Sequence, residues 1–228
     1  MAYTTIGNYC FYSCENLQSV VIGDGVKQID EGAFEYTYRL SSLIIGKSVI
    51  KIHDFCFYEA GTKNSDTLKI ICRGDPSKIW LGPSSPFKKA KVIAYYPLGS
   101  GNPGTSGWGG VSSIQWITYS QWDADQSAPI YAAGLNDKKI IASGYCGTNV
   151  QWYLHEDGTM WIFGDGAITS SPWRDSGHSS QIKHVIIDEG VTSICEKAFY
   201  CISSIESVAI GNNVTTIGNY CFYSVNHF

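Results

Sequence analysis

The ten residues Thr4 to Ser13, TTIGNYCFYS, return unchanged at Thr215 to Ser224. An exact repeat of this length confines the chain to architectures that use one local structure many times. Around it lies a looser unit with a period of 23 residues: Val26 aligns with Val49, Ile29 with Ile52 and Phe34 with Phe57. Tyr3, Ile6 and Phe11 precede them in the same register, and Val191, Ile194 and Phe199 align with Val214, Ile217 and Phe222.

Each complete unit then runs into an apolar-x-x-apolar-x-apolar pattern, at Leu17, Val20 and Ile22, at Leu40, Leu43 and Ile45, and at Ile205, Val208 and Ile210. A period in the twenties with one short strand per unit is the signature of a leucine-rich repeat. One such unit cannot bury its own apolar face, so neighbours must stack. The expected fold is mainly β with short helices or turns: a leucine-rich-repeat solenoid of 23-residue units, a β-hairpin capping module and a Pro/Gly-rich non-repeat segment. Expected boundaries are a first array at 1–72, a non-repeat array end and linker at 73–143, a hairpin module at 144–181 and a second array at 182–228. The second array can continue the first in space or across chains, because it stops in the motif with which the first begins.

A formal net charge of −4 gives no basic footprint for nucleic acid. No apolar run approaches the ~20 residues of a membrane-spanning helix. The chain opens directly into a repeat without the charged and apolar regions of a signal segment, and is expected to be an excised piece of a longer array.

Cys10, Cys56 and Cys221 share a position with Ala33 and Ala198, immediately before the Phe of each unit. A small buried slot is expected there, with Cys acting as a small hydrophobe. The other cysteines are less regular, none forms a C-x-x-C pair, and no disulfide connectivity follows from spacing.

Four groups of residues are candidates for binding. Alternate strand residues Val21, Ile44, Ile70 or Cys72, and Ile186 should line an open, apolar sheet face; it is a contact surface, or it is covered by the non-repeat segment or kept wet by small neighbours such as Ser19 and Ser42. Arg73-Gly74-Asp75 spells an adhesion tripeptide, although its glycine also suits a turn. Trp108, Trp116 and Trp122 could stack on sugars. Asp157-Gly158 predicts a hairpin with a two-residue turn, which places Trp152, Leu154, Trp161 and Phe163 on one face. Burial against the first repeat is expected for that face, with sugar stacking as the alternative.

Catalytic chemistry is not expected. His155-Glu156 lacks a second His at helical spacing, there is no G-x-S-x-G and no phosphate loop, and Asp123 and Asp125 read as a solvated loop. No cofactor and no metal site is predicted.

The stretch GVTSICEKAFYCISSIESVAIGNNVTTIGNYCFYS resembles the BspA-type leucine-rich repeats of bacterial and protozoan surface proteins, over Tyr3–Cys72 and Ile182–Ser224. CGTNVQWYLHEDGTMWIFGDG with Pro172-Trp173 resembles the hairpin module that leads into such arrays. The resemblance implies extracellular or cell-surface display and non-enzymatic binding of a host or neighbouring-cell protein or glycan. Membrane insertion and nucleic acid are not expected. A carbohydrate-binding accessory module is the alternative, and the matching ends suggest a further one, self-association into a repeat scaffold.

Overall fold

A computed structural model describes residues 5–63, 67–97, 108, 113–119 and 139–224. Every long-range element in it is β; the described residues contain three 3₁₀ turns, at Pro76–Lys78, Pro172–Arg174 and Ser179–Gln181, and no α-helix. Two sheets form the walls of a solenoid. One has ten strands, in the spatial order Ile140–Tyr145, Val150–His155, Thr159–Gly164, His184–Ile187, Ser207–Ile210, Ser19–Val21, Ser42–Ile45, Leu68–Cys72, Lys91–Pro97 and Ser113–Tyr119. The other has seven short strands, from Gly166–Ile168 to Trp80–Leu81. All pairings are parallel except the two that involve Val150–His155. Parallel neighbours one repeat apart are what a period in the twenties produces when each unit makes one coil.

The phenylalanine of each unit closes the coil on its third side. The rings of Phe199, Phe222, Phe11, Phe34, Phe57 and Phe87 stack in that order at 4.5, 4.6, 4.6, 5.0 and 4.7 Å between centroids. Strands in a sheet lie about 4.7–4.9 Å apart. One Phe per unit therefore arrives at stacking distance from the next with no adjustment. Trp173 ends the column against Phe199 at 4.8 Å, and Trp108 ends it against Phe87 at 4.5 Å. The small slot before each Phe is fully buried at Cys10, Ala33, Cys56, Ala198 and Cys221. All eight cysteines are free.

The turn around each Phe has an unusual backbone. Residues two before the ring, Tyr9, Gly32, Phe55, Ser85, Lys197 and Tyr220, and two after it, Ser13, Tyr36, Glu59, Lys89 and Cys201, have φ between 52° and 68°. A left-handed non-glycine residue costs roughly 1–2 kcal/mol. In return, alternate amides all point along the solenoid axis. Tyr9, Phe11 and Ser13 donate to the carbonyls of Glu31, Ala33 and Glu35 at 3.0, 2.7 and 3.0 Å, and Gly32, Phe34 and Tyr36 repeat the pattern onto Asp54, Cys56 and Tyr58. Three bonds per turn, at roughly 0.5–1.5 kcal/mol each, offset two strained residues. At the first coil the carbonyl of Ala198 has no preceding turn to donate to it, and the indole Nε1 of Trp173 takes that place at 2.8 Å.

The two arrays are one array in space. Thr5 and Ile6 pair with Thr216 and Ile217, and Ser19 pairs with Ser207, so the beginning of the chain stacks directly on its end. The Cys14 thiol donates across this seam to the carbonyl of Phe222 at 2.7 Å. The repeated decapeptide thus occupies two consecutive coils of the same molecule. The matching ends, which suggest self-association as one alternative, pair with each other within this single chain. Among the described residues, the final half-unit adds a strand to the seven-stranded sheet and a ring to the Phe column but none to the ten-stranded sheet, where Ser207–Ile210 pairs directly with Ser19–Val21.

The solenoid also runs past residue 72, where the sequence suggests that the repeat is lost. Trp80–Leu81 pairs with Lys51–Ile52, Phe87 extends the ring column, and Lys91–Pro97 pairs with Leu68–Cys72. Prolines 76, 83 and 86 sit in the turns of this coil rather than breaking it. Its longer spacing, with Phe87 following Phe57, hides it from a search at 23 residues.

Candidate functional site

The open face of the ten-stranded sheet carries one row of side chains across every module. Register places Tyr153 beside Trp161, then Ile186, Ala209, Val21, Ile44, Ile71 and Tyr95. Ile70 is not in this row. It pairs with Leu43 in the inward row and is fully buried, while its neighbour Ile71 takes the outward place. Cys72, paired with Ile45, is also inward and 1% exposed. Successive strand residues alternate faces, so a one-residue error of register in the third unit exchanges the two sets.

The middle of the row is closed within the chain. Val21, Ile44 and Ile71 are 8, 3 and 5% exposed and form an apolar cluster of their own with Tyr95, separate from the main core. Ile186 is half-buried. The row beside it is polar: His184 Nδ1 lies 2.8 Å from Ser207 Oγ, Ser19 and Ser42 follow, and Lys69 sets its ammonium 4.9 Å from the Tyr95 ring centroid.

Among the described residues, a group of partly exposed aromatic rings lies at the hairpin end of the face. Val150–His155 and Thr159–Gly164 pair as Gln151 with Phe163, Trp152 with Ile162, Tyr153 with Trp161 and Leu154 with Met160. The connection is therefore a three-residue loop, Glu156 to Gly158, and not the two-residue turn that Asp157-Gly158 suggests. Gly158 sits at φ 87°, and its N–H donates to the carbonyl of His155, the bulged geometry of three-residue hairpins. That single extra residue separates the four side chains expected on one face. Trp152 and Leu154 enter the core, while Trp161 and Phe163 turn outward beside Tyr153. Trp161 and Phe163 stack at 4.4 Å, and Tyr153 meets Phe163 edge-on at 4.9 Å. The three rings are half-buried and form one surface, and the buried Trp161 Nε1 has no hydrogen-bond partner among the described residues.

The remaining candidates are placed elsewhere. Trp108 is 1% exposed at the end of the Phe column, so its ring is not offered to a ligand. Trp116 lies on the edge strand Ser113–Tyr119. Trp122, Asp123 and Asp125 lie outside the described residues. In the Arg73-Gly74-Asp75 turn, Arg73 reaches Asp24 at 4.0 Å, and Asp75 accepts from the Ser77 amide and hydroxyl at 3.0 and 2.6 Å as the cap of a 3₁₀ turn. These bonds hold the Asp75 carboxyl below its ordinary pKa, the Ser77 hydroxyl foremost. A Cβ at Gly74 would come within 2.6 Å of the Lys47 carbonyl, so glycine is required there by packing. Both charged ends of the tripeptide are tied into the fold.

Sequence reasoning missed two things at the surface. One is the aromatic trio, which depends on the hairpin register. The other is a pair of tyrosine columns flanking the Phe column, whose members Tyr9 and Tyr220, and Tyr12 and Tyr223, stand at matching places in the repeated decapeptide. Among the described residues, no group of three or more His, Cys, Asp or Glu side chains is placed to hold a metal ion. No helix of the described residues is long and apolar enough to cross a membrane. What the open face can do is offer ring faces, backed by a rigid sheet, to an apolar or planar group.

A family profile agrees with this architecture. No curated protein matches the chain. Among solved structures, it is similar to a leucine rich cell surface protein from Faecalibacterium prausnitzii A2-165, at 12% identity over 97% of this chain and 69% of that one, with a TM-score of 0.30. The profile described as BspA type Leucine rich repeat region matches six copies, over residues 2–71 and 177–228. With six matched copies in coils that stack one ring and one strand per unit, the chain belongs to the BspA-type leucine-rich-repeat family.

Proposed function

We propose that this chain is a non-enzymatic binding module of a surface-displayed or secreted repeat protein, and that it holds a protein of a host or neighbouring cell on the aromatic end of its open sheet face. The observation that carries the proposal is the outward trio Tyr153, Trp161 and Phe163, continuous with half-buried Ile186 and rimmed by His184 and Ser207. Large aromatic rings on a rigid support contribute most of the energy in many interfaces. The sheet holds them without a loop to order, so little conformational entropy is lost on binding. The family's repeat pattern is structural and brings no catalytic residues with it.

The same trio supports carbohydrate as a second ligand class, since stacked, half-exposed rings are also suited to a pyranose face. The two classes separate in one experiment. Labelled protein is added to fixed epithelial and bacterial cells that have been left intact, treated with protease or treated with glycosidases. The expected result is binding that protease removes and that Trp161→Ala weakens by at least ~10-fold, with the melting temperature of the variant close to that of the parent. Loss on glycosidase treatment alone would select the carbohydrate reading. Undiminished binding by folded Trp161→Ala would sink both.

A further inference from the structure

The turn side of the solenoid carries a groove that belongs to neither the Phe column nor the open face. Its volume is about 430 Å³, and it is lined by Tyr9, Tyr12, Glu35, Tyr220 and Tyr223. Four of these five residues come from the two copies of the repeated decapeptide, so the groove exists only because those copies stack.

Two columns of stacked tyrosines run along this side, and in both the stacking stops at the same unit, where Tyr36 meets Tyr12 edge-on at 5.4 Å. In one, Tyr200, Tyr223 and Tyr12 stack at 5.4 and 5.1 Å, and the next position is Glu35. In the other, Tyr220 and Tyr9 stack at 6.0 Å, and the next position is Gly32, where a Cβ would come within 2.4 Å of the Tyr9 ring. A carboxylate and a bare backbone thus replace two rings side by side. Tyr9 meets Tyr12 edge-on, as Tyr220 meets Tyr223, so the four rings form a two-by-two array beside the Glu35 carboxylate.

Cations of the chain already cover the periphery. Lys63 lies over Tyr38 at 4.2 Å, Lys89 over Tyr58 at 5.1 Å, Arg174 over Tyr200 at 5.8 Å and Lys197 over Tyr220 at 5.9 Å. Glu59 and Glu15 are paired with Lys89 and Lys63. At the centre, Tyr9, Tyr12 and Tyr223 have no such cation among the described residues, and Glu35 has no ion pair among them. Burial, above all, raises the Glu35 carboxyl above its ordinary value, partly opposed by a hydrogen bond from Tyr36. Tyr12 is pushed up to about 12, by burial first and by the neighbouring Glu35 next.

We propose that this groove binds an arginine side chain presented by a partner protein. A guanidinium is planar, stacks on tyrosine faces and offers a donor fork to a carboxylate, which is the combination the groove supplies. The site lies apart from the aromatic trio, and its occupancy does not depend on that surface.

The test is an NMR titration of the full chain, with labelled tyrosine rings, by the peptide acetyl-Gly-Arg-Gly-amide and by its citrulline counterpart, which keeps the shape and lacks the charge. Arginine is expected to shift the rings of Tyr9, Tyr12, Tyr220 and Tyr223, with citrulline at least ~10-fold weaker. Glu35→Gln should weaken arginine binding by about tenfold with its unfolding midpoint unchanged, Tyr12→Phe should retain binding, and Tyr12→Leu should lose most of it. Equal responses to the two peptides, undiminished binding by Glu35→Gln, or shifts confined to other tyrosines would each overturn the proposal. So would a response to a methyl glycoside with none to arginine.

Discussion

At the scale of single residues, the fold depends on small side chains in slots that only the stack creates. Cys10, Cys56 and Cys221 are fully buried beside their Phe rings, where Ala33 and Ala198 serve equally well. The equivalence was legible in the sequence, because a position that accepts both Cys and Ala is defined by volume. Burial pushes the thiols of Cys14, Cys56 and Cys221 far above the ordinary value of 9.0. It raises Cys72 and Cys146 to about 12. Cys201, by contrast, is exposed. In a native sample at pH 8, a thiol reagent followed by mass spectrometry should modify Cys201 first, half-buried Cys195 more slowly and the six buried thiols only on unfolding. A raised thiol pKa also has a thermodynamic sign. Between 9 and about 12 the unfolded chain releases protons that the folded chain keeps, so stability should be full below pH 9 and fall as pH rises through that window.

At the scale of elements, the end of a repeat matters as much as its period. A coil inside the array has its carbonyls met by the preceding turn, and the first coil does not. Trp173 supplies both what the first coil lacks, a ring for Phe199 and a donor for the Ala198 carbonyl. Trp173→Phe keeps the ring and removes the donor. Leaving a buried carbonyl unpaired costs about 1–3 kcal/mol, so this variant should lose stability in that range in urea unfolding, and a loss near zero would mean that the indole bond adds nothing. The sequence shows neither cap, since Trp108 and Trp173 stand outside the aligned units and their partners are fixed only when the coil closes. Register was the other limit. Asp157-Gly158 identifies the hairpin, but a three-residue loop rather than a two-residue one reverses the facing of Trp161 and Phe163. The same parity decides between Ile70 and Ile71, where the residues before Leu68 lengthen the third unit. Period and face are separate pieces of information, and only the first survives insertion.

At the scale of the whole molecule, the sequence order and the spatial order differ. The hairpin end comes from the second half of the chain and the far edge from the first, with the seam at the duplicated decapeptide. That duplication could be read from the sequence as a joint. Whether the joint closes within one chain or between chains could not, because identical coils offer identical edges to either partner. The structure closes it within the chain, and the tyrosine groove is a product of that closure.

The most direct measurement of this arrangement is the proton contact between the rings of Phe11 and Phe222, whose centroids lie 4.6 Å apart across the seam. It should be recorded by NMR at a concentration where light scattering gives the monomer mass of 25.0 kDa. A strong ring-to-ring Overhauser effect within single chains, and none between differently labelled chains that have been mixed after unfolding and refolding, is the predicted result. An effect that arises only between chains, or none in the monomer, would contradict a solenoid that closes on its own two ends.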